Sequence, residues 1–408
     1  MKENAYIVEG TRSAIGSFRG TLSGMRTDDL LAEVLKGLIK KSPNLPLDKI
    51  DDVIIGCANQ AGEDNRNIAR MSLLLAGLPV SVPGETVNRL CASGMSAIVQ
   101  ASRAIKSGEG DLFIAGGVEG MTRGPYVISK SAAPFGSDQK IYDSSFGWRF
   151  VNPKMKDLYG TDAMGNTAEN LAQKYQITRK EQDRFALLSQ QKAKAAMDNG
   201  RLSEEITPIE IPQRKADPIR FDQDEFIKPN SSMEGLSKLR AAFLKENGTV
   251  TAGNSSGLND GAAAVLIASE SAVKEYNLTP MARIVTSGVT GTEPRIMGIG
   301  PVEASKLALK RAGLTLEDMD IIELNEAFAA QSIACLKELG LEPNDPRVNP
   351  NGGAIALGHP LGMSGTRITY SAALELVKTG KRYALATMCI GVGQGYAVIL
   401  ENSSYSES

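Results

Sequence analysis

The feature that most constrains this chain is an internal repeat. The stretch Leu47-Asp-Lys-Ile-Asp-Asp-Val-Ile-Ile-Gly reads like Leu316-Glu-Asp-Met-Asp-Ile-Ile-Glu-Leu-Asn, with Leu316 following Leu47 by 269 positions. A second echo lies at nearly the same spacing. Gly94-Met-Ser opens a helical run ending in Lys106-Ser-Gly, and Gly362-Met-Ser, 268 positions on, opens one ending in Lys378-Thr-Gly. Each run is followed by a strand-like segment, Leu112-Phe-Ile-Ala and Tyr383-Ala-Leu-Ala. Two agreeing offsets point to a duplicated unit. Both copies alternate β-branched runs with amphipathic helices, the pattern of α/β sheets covered by helices.

The chain has 408 residues, more than one hydrophobic core usually holds, so the repeat also explains the length. Between the copies the composition turns polar and aromatic and includes the only tryptophan, Trp148, as well as a helical stretch from Ala163 to Asn199. Residues 121–248 therefore read as an insertion. Residues 1–120 with 249–275 form the first half, and 276–408 the second. A net charge of −2 gives no reason to expect nucleic acid or an anionic membrane as partner. The longest apolar runs, such as Ala262 to Ala268, fall far short of the ~18 residues that suggest a membrane span. The start, Met1-Lys-Glu-Asn-Ala-Tyr-Ile-Val, carries no targeting pattern. Four dispersed cysteines suit neither a disulfide framework nor a metal site, so a cytoplasmic location and no metal are expected.

His359 is the only histidine, so any imidazole base must be this residue. It stands in Gly352-Gly-Ala-Ile-Ala-Leu-Gly-His-Pro-Leu-Gly, where glycines allow close backbone approach and the following helix aims amides at a ligand. Cys91, in Asn88-Arg-Leu-Cys-Ala-Ser-Gly, lies where a strand gives way to a helix. A helix N-terminus and a nearby imidazole would both favour the thiolate, which is the nucleophile. Cys389, in Cys389-Ile-Gly-Val-Gly-Gln-Gly, is expected at the matching strand end of the second half, while Cys57 and Cys335 read as structural. Gly253-Asn-Ser-Ser-Gly257 fits a serine-nucleophile pattern around Ser255 and makes serine hydrolysis an alternative. That pattern needs a helix straight after the serine, and the run from Gly261 reads as a strand. Gly391-Val-Gly-Gln-Gly lacks the acidic residue about 20 positions on that a dinucleotide loop requires.

With those residues in view, the chain resembles the thiolase family over nearly its whole length. The segments around Cys91, His359 and Cys389 match its cysteine and histidine signatures, and Asn325-Glu-Ala-Phe-Ala matches its central block. The resemblance implies a five-layered α-β-α-β-α fold with two duplicated halves and an inserted CoA-binding loop domain. It also implies a homodimer or homotetramer that takes acyl-CoA and CoA as substrates without a permanent cofactor. In that family His359 would activate Cys91, which becomes acylated, and Cys389 would move the α-proton. His359 and a water on Asn325 would hold the enolate oxygen, with the amides of Cys91 and Gly391 on the tetrahedral intermediate. Ser256, Ala252, Met164, Ala327 and Phe328 would line the pantetheine tunnel. Lys228 stands where members often place an arginine against adenine, and Ala163 where biosynthetic members often carry histidine. Asn59-Gln-Ala-Gly-Glu-Asp-Asn-Arg-Asn and Phe146-Gly-Trp-Arg-Phe-Val-Asn-Pro are similar to members that cleave 3-oxoadipyl-CoA, the alternative being an acetoacetyl-CoA specificity. Arg149 is the candidate for meeting a distal carboxylate, against a purely structural or subunit-contact role.

Overall fold

A computed structural model describes residues 3–406. Ten strands join one mixed sheet: β1 Ala5–Arg12, β2 Gly16–Ser17, β3 Asp52–Gly56, β4 Gly84–Val87, β5 Leu112–Gly120, β6 Asn259–Ser269, β7 Ala282–Gly291, β8 Ile321–Leu324, β9 Tyr383–Ile390 and β10 Gln394–Asn402. Their order is β8-β9-β10-β7-β1-β6-β5-β3-β4, with β2 beside β6. The pairs β3–β4, β3–β5 and β8–β9 are parallel and the others antiparallel. Within the sheet the two halves pair where Tyr6 and Ile7 of β1 face Arg283 and Ala282 of β7.

Helices α1 (Thr27–Lys41), α2 (Ile68–Leu75), α3 (Ser93–Ser107), α4 (Met164–Lys174), α5 (Arg179–Asp198), α6 (Gly300–Ala312), α7 (Ala329–Leu339) and α8 (Leu361–Thr379) complete the fold. Three apolar clusters define five layers. Leu31, Val34 and Leu35 of α1 bury against Val53, Ile114 and Leu266. Val302 and Leu309 of α6 and Ile333 of α7 bury against Ile322, Leu385 and Ile399. Between them, Ile98 of α3 and Ile368 and Tyr370 of α8 pack on Ile54 and Phe113 from one half and Ile321 and Met388 from the other. Because both faces of the sheet are covered, strands such as β5 and β6 are buried along their whole length, which is why Leu112–Ala115 and Ala262–Ala268 read as apolar runs.

Glycines let α3 and α8 touch. A Cβ on Gly94 would meet Thr366 Oγ1 at 2.3 Å, and one on Gly365 would meet the Met95 amide at 2.4 Å. The repeat is visible in its hydrogen bonds too. The Asp51 carboxylate accepts from the amides of Asp111 and Leu112, and Asp320 accepts from those of Arg382 and Tyr383. Each aspartate fixes the start of the neighbouring parallel strand.

The expected helix from Ala163 to Asn199 is two helices. Gln176 has φ +52, and Thr178 starts α5 with a reciprocal capping box to Glu181, a local signal strong enough to interrupt the run. Within residues 121–248, two hairpins, Tyr126–Ile128 with Ile141–Asp143 and Ile209–Ile211 with Ile219–Phe221, stand apart from the main sheet. No helix among the described residues is long and apolar enough to cross a membrane.

Arg12 of β1 anchors part of this region. Its guanidinium, fully buried, donates to Glu205 at 2.8 Å and to both Asp224 oxygens at 2.7 and 2.9 Å. Arg201 also reaches Glu205, at 2.9 Å, and the paired cations hold the Glu205 carboxyl down at about 2 despite its burial. Arg12→Ala leaves Asp224 buried without a cation and Glu205 with Arg201 alone, and is expected to lower unfolding stability by about 3–5 kcal/mol. Denaturant titration checks this; a loss below about 1 kcal/mol would mean the network relaxes into water.

Candidate active site

Cys91 lies in a short turn, Leu90–Ala92, immediately before α3. Neighbouring side chains build that turn. Asn88 Oδ1 accepts from the Leu90 amide at 2.8 Å, and the Ser93 hydroxyl accepts from the Arg89 amide at 2.9 Å while donating to the Leu90 carbonyl at 2.6 Å. Leu90 is thereby held at φ +48, a conformation L-residues seldom adopt and one that active-site loops use to aim a side chain. The facing loop after β9 is strained likewise, with the β-branched Val392 at φ +63.

The Cys91 sulfur is within reach of the Gly391 amide and its own amide, which both favour the thiolate. Burial outweighs them and, with the nearby Glu119 carboxylate, pushes the thiol up to about 11. The dry site favours the protonated thiol, and the two amides only moderate that preference.

His359 precedes α8 as Cys91 precedes α3. Its amide donates to Asn259 Oδ1 at 3.0 Å, and Gly358, at φ +107, leaves no room for a Cβ, which would lie 2.6 Å from the Asn259 side chain. The ring Nδ1 sits 2.6 Å from Ser364 Oγ. That hydroxyl gives its proton to the Pro360 carbonyl at 2.8 Å, so it must accept from Nδ1–H. The Nε2 lone pair is left bare, buried and without a protein partner. Burial, reinforced by the Arg367 charge, pulls the imidazole down to about 3, so the ring is a neutral base at ordinary pH.

Cys389, near the end of β9, is fully buried among Met297, Ala327, Met164 and Phe328. Desolvation raises its thiol well above the usual range, and the neighbouring Cys91 thiol, when ionised, adds to the rise. The expectation that the two cysteines occupy matching strand ends is wrong. The residue 268 positions after Cys91 is His359, both standing two residues ahead of their helix. Helix α8 has 19 residues against 15 in α3, so by the next strand the offset is 271 and Cys389 matches Val118. The repeat thus supplies equivalent backbone positions and different chemistry at each.

Asn325 follows β8, its amide donating to the Thr387 carbonyl at 3.0 Å. Both polar atoms of its side chain are buried without a partner, the condition of a group built to hold a substrate oxygen or a water. The next residue, Glu326, accepts from Ser189 at 2.6 Å, Asn349 at 2.7 Å and the Ile355 amide at 3.2 Å, which pins the loop leading to His359. Sequence reasoning missed Glu326, Asn259, Ser364 and Glu119. Asn325-Glu offered a signal for the first, whereas the other three work only through distant partners.

A cavity of about 260 Å³ is lined by Cys91, Gly391, Glu119, Met164, Ala163 and Arg149, among others. Leu361, two residues beyond His359, lines it as well. Ser256 donates its amide and hydroxyl to the Ala327 carbonyl, at 3.0 and 3.1 Å, beside Phe328 and Cys389. Lys228 is exposed, its ammonium 4.9 Å from the Phe226 ring, and Phe226 in turn packs on Gly257. Ala252 is exposed in the preceding turn.

Ser255 does not form a hydrolytic site. Its hydroxyl is committed to the Thr251 carbonyl at 2.7 Å, a strand rather than a helix follows, and His359 Nδ1 is taken by Ser364. Cys57, Asp64 and Glu119 bring three metal-ligating atoms within 4.8 Å, but Glu119 already accepts from the amides of Ala58, Asn59 and Gly362.

Comparison with known proteins agrees with this geometry. The family described as "Thiolase, N-terminal domain" matches residues 5–271, and "Thiolase, C-terminal domain" matches 278–402. A beta-ketoadipyl-CoA thiolase of Acinetobacter baylyi is 56% identical over 98% of this chain and 99% of its own. The 3-oxoadipyl-CoA/3-oxo-5,6-dehydrosuberyl-CoA thiolase of Escherichia coli is 55% identical over 97% and 99%. The crystal structure of human mitochondrial 3-ketoacyl-CoA thiolase, at 42% identity, superposes with a TM-score of 0.91 over 98% of this chain and 99% of its own.

Proposed function

The chain belongs to the thiolase family of acyltransferases, which cleave 3-oxoacyl-CoA with CoA, and from that premise we propose that its own substrate carries a distal carboxylate, with 3-oxoadipyl-CoA the best fit. One observation carries the choice. Among the described residues lining the cavity at Cys91, Arg149 is the only cation. Its guanidinium spends only two N–H donors on the protein, on the Ser144 carbonyl at 3.3 Å and on Asn59 Oδ1 at 3.4 Å, which leaves the others for a carboxylate.

In the proposed reaction His359 Nε2 takes the Cys91 proton as Sγ attacks the 3-oxo carbon. The amides of Cys91 and Gly391 stabilise the oxyanion. The C2–C3 bond breaks, and the electron pair becomes the enolate of acetyl-CoA, whose oxygen faces His359 and a water on Asn325. Cys389 protonates its C2. A CoA thiol then gives its proton to the Cys389 thiolate and attacks acyl-Cys91, whose departing sulfur takes back the proton from His359, releasing the shortened acyl-CoA, which for 3-oxoadipyl-CoA is succinyl-CoA. The inserted region 121–248 would bind CoA, its adenine end near Lys228 and its pantetheine along Ala252, Ser256, Met164, Ala327 and Phe328. The reading includes a homo-oligomer acting in the cytoplasm.

The test compares kcat/KM for 3-oxoadipyl-CoA with that for acetoacetyl-CoA. Arg149→Ala should lower the ratio roughly 10–100-fold, the worth of a charge-assisted hydrogen bond. A wild-type preference for acetoacetyl-CoA would instead make the enzyme an acetyl-CoA acetyltransferase.

A further inference from the structure

Arg149 lies on a loop of the inserted region, and something must hold it in register with Cys91 if it is to select substrates by length. The loop itself is fastened by Trp148, whose indole donates to the Asp162 carbonyl at 3.1 Å. The guanidinium rests on Asn59, which connects the remaining parts of the site. Asn59 Oδ1 accepts from Arg149, and its Nδ2 donates to both the carbonyl and the hydroxyl of Ser144, each at 3.2 Å. The Asn59 amide donates to Glu119 Oε1 at 2.9 Å, while Glu119 Oε2 takes the Ala58 amide at 3.1 Å and the Gly362 amide, in the first turn of α8, at 2.8 Å. The Ala58 carbonyl in turn accepts from Asn88 Nδ2 at 3.0 Å, and Asn88 shapes the Cys91 turn.

From this convergence we propose that Asn59 is the positioning residue that sets substrate specificity, fixing the Arg149 guanidinium at one separation from the Cys91 sulfur so that dicarboxylic 3-oxoacyl-CoA esters are selected by length. The inference rests on Arg149 as the carboxylate partner. The Asn59 side chain holds the loop bearing the cation, its backbone amide binds Glu119 and through it the helix that follows the base, and the adjoining Ala58 carbonyl ties the same segment to the turn bearing the nucleophile. A side chain that merely filled space would not need both ends of its amide engaged. The neutral amide also matters. It accepts from Arg149 without neutralising it, which leaves the charge for the substrate.

The experiment measures KM and kcat for 3-oxoadipyl-CoA and acetoacetyl-CoA in the full-length enzyme and in Asn59→Ala, Asn59→Asp and Arg149→Ala. Asn59→Ala should lower the 3-oxoadipyl to acetoacetyl ratio of kcat/KM by about tenfold, mainly through KM. Asn59→Asp should lower it further, since a carboxylate paired with Arg149 repels the substrate's own. A merely structural asparagine predicts the reverse order, because aspartate keeps the shape that alanine loses. If Arg149→Ala lowers the ratio and both Asn59 variants leave it at the wild-type value, the positioning role is overturned and the carboxylate reading stands. If Arg149→Ala leaves the ratio unchanged, the carboxylate reading falls and takes this inference with it.

Discussion

Cys91→Ala is expected to lower thiolytic kcat/KM by at least roughly 10⁴-fold, because removing a covalent nucleophile abolishes both half-reactions at once. The fold should survive. The side chain is small and apolar in its setting, and the Asn88 and Ser93 bonds that build the turn do not use the sulfur. Wild-type enzyme given acyl-CoA without free CoA should gain one acyl mass on the peptide containing Cys91, and iodoacetamide labelling of the same peptide should slow. The variant should show no adduct. Substantial turnover in Cys91→Ala with an acyl group on Cys389 would reverse the assignment of the two cysteines.

His359→Gln should cost roughly 10²–10⁴ in kcat, the usual contribution of a positioned general base. The amide can keep the bond to Ser364 but offers no basic lone pair at the Nε2 position. The resting pair is neutral, with Cys91 pushed up to about 11 and His359 pulled down to about 3, so the base takes its proton only as the sulfur attacks. The same burial predicts a stability effect. An imidazole held at about 3 in the folded state and at its ordinary value of 6.5 when unfolded binds more protons unfolded. Its contribution is therefore complete above pH 6.5 and is lost as the pH falls from there towards 3. His359→Gln lacks this term, so its unfolding free energy should fall less steeply over that window than that of wild type. Parallel denaturation curves at each pH would overturn the neutral-imidazole assignment.

The neutral resting pair shows where inference from pattern stops. The residue types and their setting at helix starts were legible in the chain, since glycines, a lone histidine and a strand-to-helix cysteine are local features. The direction of the Cys91 shift was not. It depends on how completely the sheet and the two central helices exclude water, a sum over distant segments. The helix break at Gln176–Thr178 was missed for the opposite reason: the Thr178–Glu181 capping signal is local, and the amphipathic run on either side masked it.

The amino-acid sequence by itself determined the duplication, the α/β layering and the identity of the groups available for acyl transfer, because apolar periodicity and residue type are properties of neighbours along the chain. Only the tertiary structure decided that Cys389 is not the repeat partner of Cys91, since the extra turn of α8 shifts everything after it. It alone decided that Ser364 orients the imidazole and that Asn59 joins Arg149 to the nucleophile turn. Those facts are hydrogen bonds between segments that meet only when burial brings them together, and no spacing in the chain encodes where a buried donor finds its acceptor.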